Sequence, residues 1–166
     1  IFGGMSSAAI FSMVFKNSRA KQLIGALGVA ILGGLVASSV LYFGFDALEA
    51  NFWPTTGVII LGIAAISTTV LGLNSLLGIA GLGLGAVTML FISNPLSGMA
   101  TGMHWLPSPW GAIGQYLPLG AAGTALRSSA FFDGAGMTSS VIVLLCWIIA
   151  GITLAAVGAW RARRTG

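Results

Sequence analysis

Apolar residues fall into five long runs separated by short polar or proline-rich stretches. The runs cover residues 1–15, 23–45, 55–73, 76–92 and 138–160. A helix needs about 20 apolar residues to cross the hydrocarbon core of a bilayer. Each run predicts such a helix, although the first is short for one. The pattern therefore predicts an all-α integral membrane protein of about five transmembrane helices. It reads as a single transmembrane domain over residues 1–166.

One stretch breaks the pattern. Residues 105–134 read WLPSPWGAIGQYLPLGAAGTALRSSAFFDG and hold Pro107, Pro109 and Pro118, three of the five prolines. Ser108-Pro109 reads as an N-cap and first-turn proline opening a short helix, PWGAIGQYL. Pro118 ends it, and a second short helix over residues 119–131 closes on an Asp133-Gly134 turn. Neither is long and apolar enough to span. They are expected to be short, amphipathic outer helices ahead of the last span.

Local signals refine the other runs. Gly72-Leu73-Asn74-Ser75 predicts a tight uncharged turn. Ser93-Asn94-Pro95 predicts a helix stop, because the residue before proline is pushed out of the helical region. Pro54 suits a first helical turn. Thr138, Ser139 and Ser140 are capping candidates for the last span. Small residues four apart, Gly33/Ala37, Gly34/Ser38 and Gly81/Gly85, predict close helix–helix approach. Gly81 lies in a GLGLGA run that lacks the strand and distant acid of a dinucleotide site. Tyr42, Phe43, Phe45 and Trp53 are grouped as an interfacial aromatic belt would be.

Composition agrees with this pattern. The chain is 57% hydrophobic and 6% charged, where soluble domains carry about 25% charged residues. The pI of about 10.0 reflects a net charge of only +4. The cations sit at the ends of the apolar runs, which speaks for topology and against nucleic acid. The chain opens on Ile1, inside an apolar run with no basic stretch ahead of it. That run is not expected to be a signal peptide. The expectation is that part of this helix, and the true N-terminus, lie upstream.

Charge sets an orientation. Lys16, Arg19 and Lys21 fall in the first connection, residues 16–22, and Arg161, Arg163 and Arg164 in the tail after Trp160. Asp46, Glu49 and Asp133 fall in other connections. By the positive-inside rule the first connection and the tail are cytoplasmic in the cell membrane, and residues 93–137 are extracytoplasmic.

Chemistry is sparse. No acid or base lies mid-span, and no H-E-x-x-H, G-x-S-x-G or Walker A pattern occurs, so no enzyme, cofactor or metal site is expected. His104 is the sole histidine and cannot hold a metal alone. Cys146 is the sole cysteine and reads as a packing residue. Arg127 reads either as an interfacial arginine reaching for headgroups or as a contact for an anionic lipid or for Asp133. Lys16, Arg19 and Lys21 read either as a topology signal alone or as a docking loop for a cytosolic partner.

The segment NPLSGM…LPSPWGAIGQYLPLGAAGTALR carries a resemblance. An Asn94-Pro95 turn, then Leu106-Pro107, then Leu117-Pro118 followed by Arg127 resembles the closing region of permeases of the type-2 ABC transporter superfamily. The topology is also similar to that of the related phage-infection-protein (Pip) type membrane proteins. The resemblance implies a span ahead of this chain, a cytosolic ATPase subunit, and a homo- or heterodimer of permease subunits. It places Lys16, Arg19 and Lys21 in the loop that touches the ATPase. It places Pro107, Pro109, Gln115, Pro118 and Arg127 in the outer gate helices.

The expected function is the membrane-spanning permease of an ATP-driven exporter of a lipid-like, polymeric or amphipathic substrate. The alternative is a non-transporting scaffold or anchor in a cell-envelope or secretion complex. Half of an inverted-repeat transporter is a third reading, without the paired broken helices it needs.

Overall fold

A computed structural model describes residues 1–15, 18–44, 52–99, 105–132 and 134–165. All its regular segments are helical. They are α1 (Phe2–Val14), α2 (Arg19–Ser39), α3 (Phe52–Leu77), α4 (Ile79–Val87), α5 (Asn94–Leu96), α6 (Trp110–Gln115), α7 (Pro118–Phe131) and α8 (Met137–Thr165). Two wider π-helical segments continue α2 over Val40–Gly44 and join α4 to α5 over Thr88–Ser93. Four helices are long and apolar enough to cross a membrane: Arg19–Phe43, Phe52–Leu77, Ile79–Leu96 and Met137–Arg164. The first apolar run forms a shorter helix, α1.

The bundle is built around α3. Of its apolar window 67% is buried, against 22% for each of the other three long helices. α2 runs antiparallel to it and turns a stripe of small or polar residues inward: Gln22, Ala26, Ala30, Gly34 and Ser38. A Cβ on Gly34 would lie 2.3 Å from the Ile60 side chain. α4 is also antiparallel. Gly81 lies against the Leu73 carbonyl and Gly85 against Val70, so the four-residue glycine spacing is a contact face. α8 runs parallel to α3, with Gly151 against Thr68 and Gly158 against Ser75. α1 is parallel to α3 as well, held by Ser7 and Ser67, whose hydroxyls are 3.1 Å apart. Ser67 also donates to the Gly4 carbonyl at 3.1 Å.

Several element ends differ from the sequence expectation, each for a physical reason. Gly72 to Ser75 form no turn. Helix α3 runs through them, because Gly72 is used for packing: its Cβ would lie 2.6 Å from the Gly151 carbonyl. The reversal comes at Gly78, whose φ of +63° favours glycine. Ser93-Asn94-Pro95 does not stop the fourth helix. The π-helical segment widens the turn ahead of Pro95, where the ring and its missing N–H are tolerated. The helical stretch ends ahead of Gly98, with φ +64°.

Residues 16–22 are not all loop. Ser18 caps α2, accepting from the Lys21 backbone N–H at 3.4 Å, so Arg19 and Lys21 belong to the first helical turn. Lys16, with Asn17, lies outside the described residues, as do Phe45, Asp46, Glu49, His104 and Asp133. α8 begins at Met137, so Thr138, Ser139 and Ser140 sit within its first turn. It continues past Trp160 through the arginines. Arg164 stacks over the Trp160 ring, 3.7 Å from its centroid, which supports that last turn. Pro54 does lie in the first turn of α3.

Outward faces are strongly apolar. Ile24, Leu32 and Val36 on α2, Phe91 beyond α4 and Ile149 on α8 are all exposed. Tyr42 packs edge-on against Phe43 and Phe52, and Phe52 against Trp53, grouping aromatics at one end of the bundle.

Candidate functional site: a helical hairpin and a cationic end

The helix directions sort the charges. The C-terminal ends of α1, α3 and α8 and the N-terminal end of α2 share one end of the bundle. That end carries Arg19, Lys21, Arg161, Arg163 and Arg164. Gly78 turns there too. The opposite end carries the N-terminal end of α3 and the C-terminal end of α7.

α6 and α7 fold back on each other as a hairpin, with Gly120 against the Gly114 carbonyl. α7 runs antiparallel to α3: Thr55 donates to the Ser129 hydroxyl at 3.2 Å near the end, and a Cβ on Gly62 would lie 3.1 Å from the Ala122 Cβ deeper in. At the N-terminus of α7, Leu119 packs with Ile66, Val70, Leu71 and Met89. The hairpin tip therefore reaches the level of Ala65, about 20 Å from the Phe52 end at 1.5 Å per residue.

The physical reason is small side chains and local polar satisfaction. Gly111, Gly114, Gly120, Ala121, Gly123 and Ala125 are buried. A Cβ on Gly114 would lie 1.7 Å from the Leu96 carbonyl oxygen, and one on Gly120 2.0 Å from the Gly114 carbonyl oxygen. Only hydrogen fits at either position.

The tip's backbone groups find partners inside the bundle. Pro118 opens α7 and has no N–H to satisfy. The Leu119 N–H donates to the Ser93 hydroxyl at 3.3 Å. The Trp147 indole N–H of α8 donates to the Tyr116 carbonyl at 2.7 Å. Irregular backbone at membrane depth is tolerated only when neighbours satisfy it in this way.

The sequence-derived gate residues separate on this scaffold. Pro118 and Gln115 are at the tip. Gln115 donates to the Ser97 carbonyl at 3.4 Å and accepts from the Thr124 hydroxyl. Arg127 is further up α7. It donates to the carbonyls of Gly98 and Met99 at 2.9 and 3.0 Å, pinning the segment after α5 to the hairpin. Asp133 lies outside the described residues. Pro107 and Pro109 are exposed. α6 is shorter than expected, Trp110–Gln115, with Pro109 at its N-cap position and no side-chain cap from Ser108.

An apolar cleft of about 500 Å³ opens beside the hairpin. Val58, Gly62 and Ile66 of α3 form one wall, and Leu119, Gly123 and Leu126 of α7 form the other. Asn94 and Met99 close one side. This volume is in the range of small-molecule sites. Sequence reasoning missed it, along with Ser93, Trp147 and Tyr116, since none carries a motif. The Gly111/Gly114 and Gly120/Gly123 spacings were the available signal.

At the cationic end Gln22 is the organising residue. It is buried, donates to the Phe15 carbonyl at 2.8 Å and accepts from the Arg19 guanidinium at 3.0 Å. It thereby closes the end of α1 and holds Arg19.

Compared with known proteins, the chain matches no protein-family model, no curated protein and no solved structure.

Proposed function

We propose that the chain is the membrane-spanning permease subunit of an ATP-driven exporter of a lipid-like or amphipathic substrate, its ATPase on a separate chain. The α6–α7 hairpin carries the reading: its tip lies half-way down a bundle whose cations gather at the far end. Exposed apolar faces on α2, α4 and α8 suit lipid contact. The gathered arginines suit a cytoplasmic face. The hairpin then enters from outside and stops at mid-depth. It obstructs a path beside α3 and α7, and the neighbouring apolar cleft suits an alkyl chain. Because glycines and short polar contacts hold it, the hairpin can shift as a unit.

In this reading the ATPase acts on the cationic end through Lys16, Arg19 and Lys21. Replacing all three by Gln is expected to reduce co-purification of a Walker-motif chain roughly tenfold or more, at up to about 1 kcal/mol per charge pair. The variant's own thermal midpoint should fall only slightly, since Lys21 is exposed and Arg19 loses one side-chain contact, to Gln22. Undiminished co-purification overturns the docking role. Absence of any ATPase from wild-type preparations favours the scaffold reading.

Orientation is tested by thiol labelling in a Cys146→Ala background. Ser108→Cys, at an exposed site ahead of α6, is expected to react with an impermeant maleimide on intact cells. Lys21→Cys is expected to react only after lysis. The reverse pattern inverts the topology.

A further inference from the structure

A second groove lies at the cationic end, between the first turns of α2 and the last turns of α8. Its volume is about 620 Å³. Arg19 stands on one wall and Arg163 on the other. Below them the lining is Leu23 from α2 and Ile152, Ala156 and Ala159 from α8. From Ile152 to Arg163 the groove follows α8 for about 16 Å. It has two guanidinium groups at the end of the bundle and an apolar floor running towards its middle.

We infer that this groove binds an anionic phospholipid, its phosphate between Arg19 and Arg163 and an acyl chain along Leu23, Ile152 and Ala156. Guanidinium groups present forked donors that match a phosphate, and two of them can share one headgroup. Basic pockets between helices at the cytoplasmic face are suited to acidic headgroups. The alanines leave a narrow apolar channel that fits a flexible chain. An acidic peptide would match the arginines but would leave its polar backbone against that channel. The inference rests on the membrane reading; it shares Arg19 with the proposed ATPase contact, whereas Arg163 has no part in that contact.

The test is a lipid titration of the delipidated full chain in detergent, with bound lipid counted by native mass spectrometry. Wild type is expected to prefer phosphatidylglycerol to phosphatidylcholine by about fivefold per arginine, the factor that about 1 kcal/mol per basic residue near an anionic surface gives. The Arg19→Gln/Arg163→Gln double variant should lose the preference. Ala156→Phe keeps both charges, alters an exposed position and fills the channel, so it should weaken phosphatidylglycerol binding as well. Lys21→Gln, at the same end but outside the groove, should leave the preference intact. Glycerol phosphate, which has the charge without the chains, should not compete.

Equal binding of the two lipids overturns the inference. So does a preference that survives in the double variant or in Ala156→Phe. A loss with Lys21→Gln equal to that of the double variant reduces the effect to general surface charge and overturns it too. Competition by glycerol phosphate assigns the site to a soluble anion instead. Carbonate extraction of the source membranes separates this inference from the reading beneath it. A chain that stays in the membrane pellet but shows no lipid preference defeats only the groove.

Discussion

Gly151→Leu should leave no monodisperse folded protein. A Cβ at residue 151 would lie 2.4 Å from the Thr68 carbonyl carbon and 2.6 Å from its oxygen. Both atoms are backbone of the central helix and cannot rotate aside. The only relief is to separate α8 from α3, and that opens the whole seam. Leu144, Gly151, Ala155 and Gly158 of α8 are buried along it, and Ser75 donates to the Ala155 carbonyl at 3.0 Å. Overpacking a tight core costs about 1–3 kcal/mol, and the upper end or beyond applies where backbone meets backbone. Fluorescence-detected size-exclusion in detergent should show the main peak lost. Gly28→Ala is the control, since no atom lies within 4 Å of its Cβ position. It should be neutral or stabilising by up to about 1 kcal/mol through helix propensity. A Gly151→Leu protein that elutes and melts like wild type would refute the α3–α8 packing.

Gly114→Val should release the α6–α7 hairpin while leaving the long helices in place. Its side chain would sit where the Leu96 carbonyl is, 1.7 Å away, so α6 must move off α5. That movement breaks the Gln115 contact to the Ser97 carbonyl and strains the Trp147 bond to Tyr116. The readout is a cysteine at Leu117, beside the tip, in a Cys146→Ala background. In the native hairpin this site is half-buried and should react slowly with maleimide. Adding Gly114→Val should accelerate the reaction roughly tenfold or more, the factor expected from about 1.4 kcal/mol or more of lost packing. Circular dichroism should show helix content almost unchanged, because the hairpin's own turns are short. An unchanged labelling rate would mean that the tip is not held against α5.

Where sequence reasoning succeeded, the property was local. Gly34, Ser38, Gly81 and Gly85 are contact residues as their spacing suggests, because four residues bring small side chains onto one helix face. Pro118 was read as a helix boundary, and it is the first residue of α7. Where it went astray, one residue type could do two jobs. Gly72 and Gly78 look alike in sequence. One receives the Gly151 carbonyl against its bare Cα, and the other adopts a positive φ. Pro95 was read as a stop, yet a π-helical segment absorbs it, and nothing local to Thr88–Ser93 announces that widening.

By itself, then, the order of residues determined an all-helical chain, the approximate limits of its long apolar helices, and which helix faces are small enough to pack. These follow from hydropathy and from a period of 3.6, which act over a few neighbouring turns. The tertiary structure alone decided that α3 is the hub, that α7 packs along α3 as far as Ala65, and that Arg19 and Arg163 face one groove. Those facts depend on partners 28 to 144 positions away, such as Arg127 with Met99 and Arg19 with Arg163. A hydrogen in place of a side chain, or a hydroxyl at the right height on another helix, has no signature until the helices are side by side.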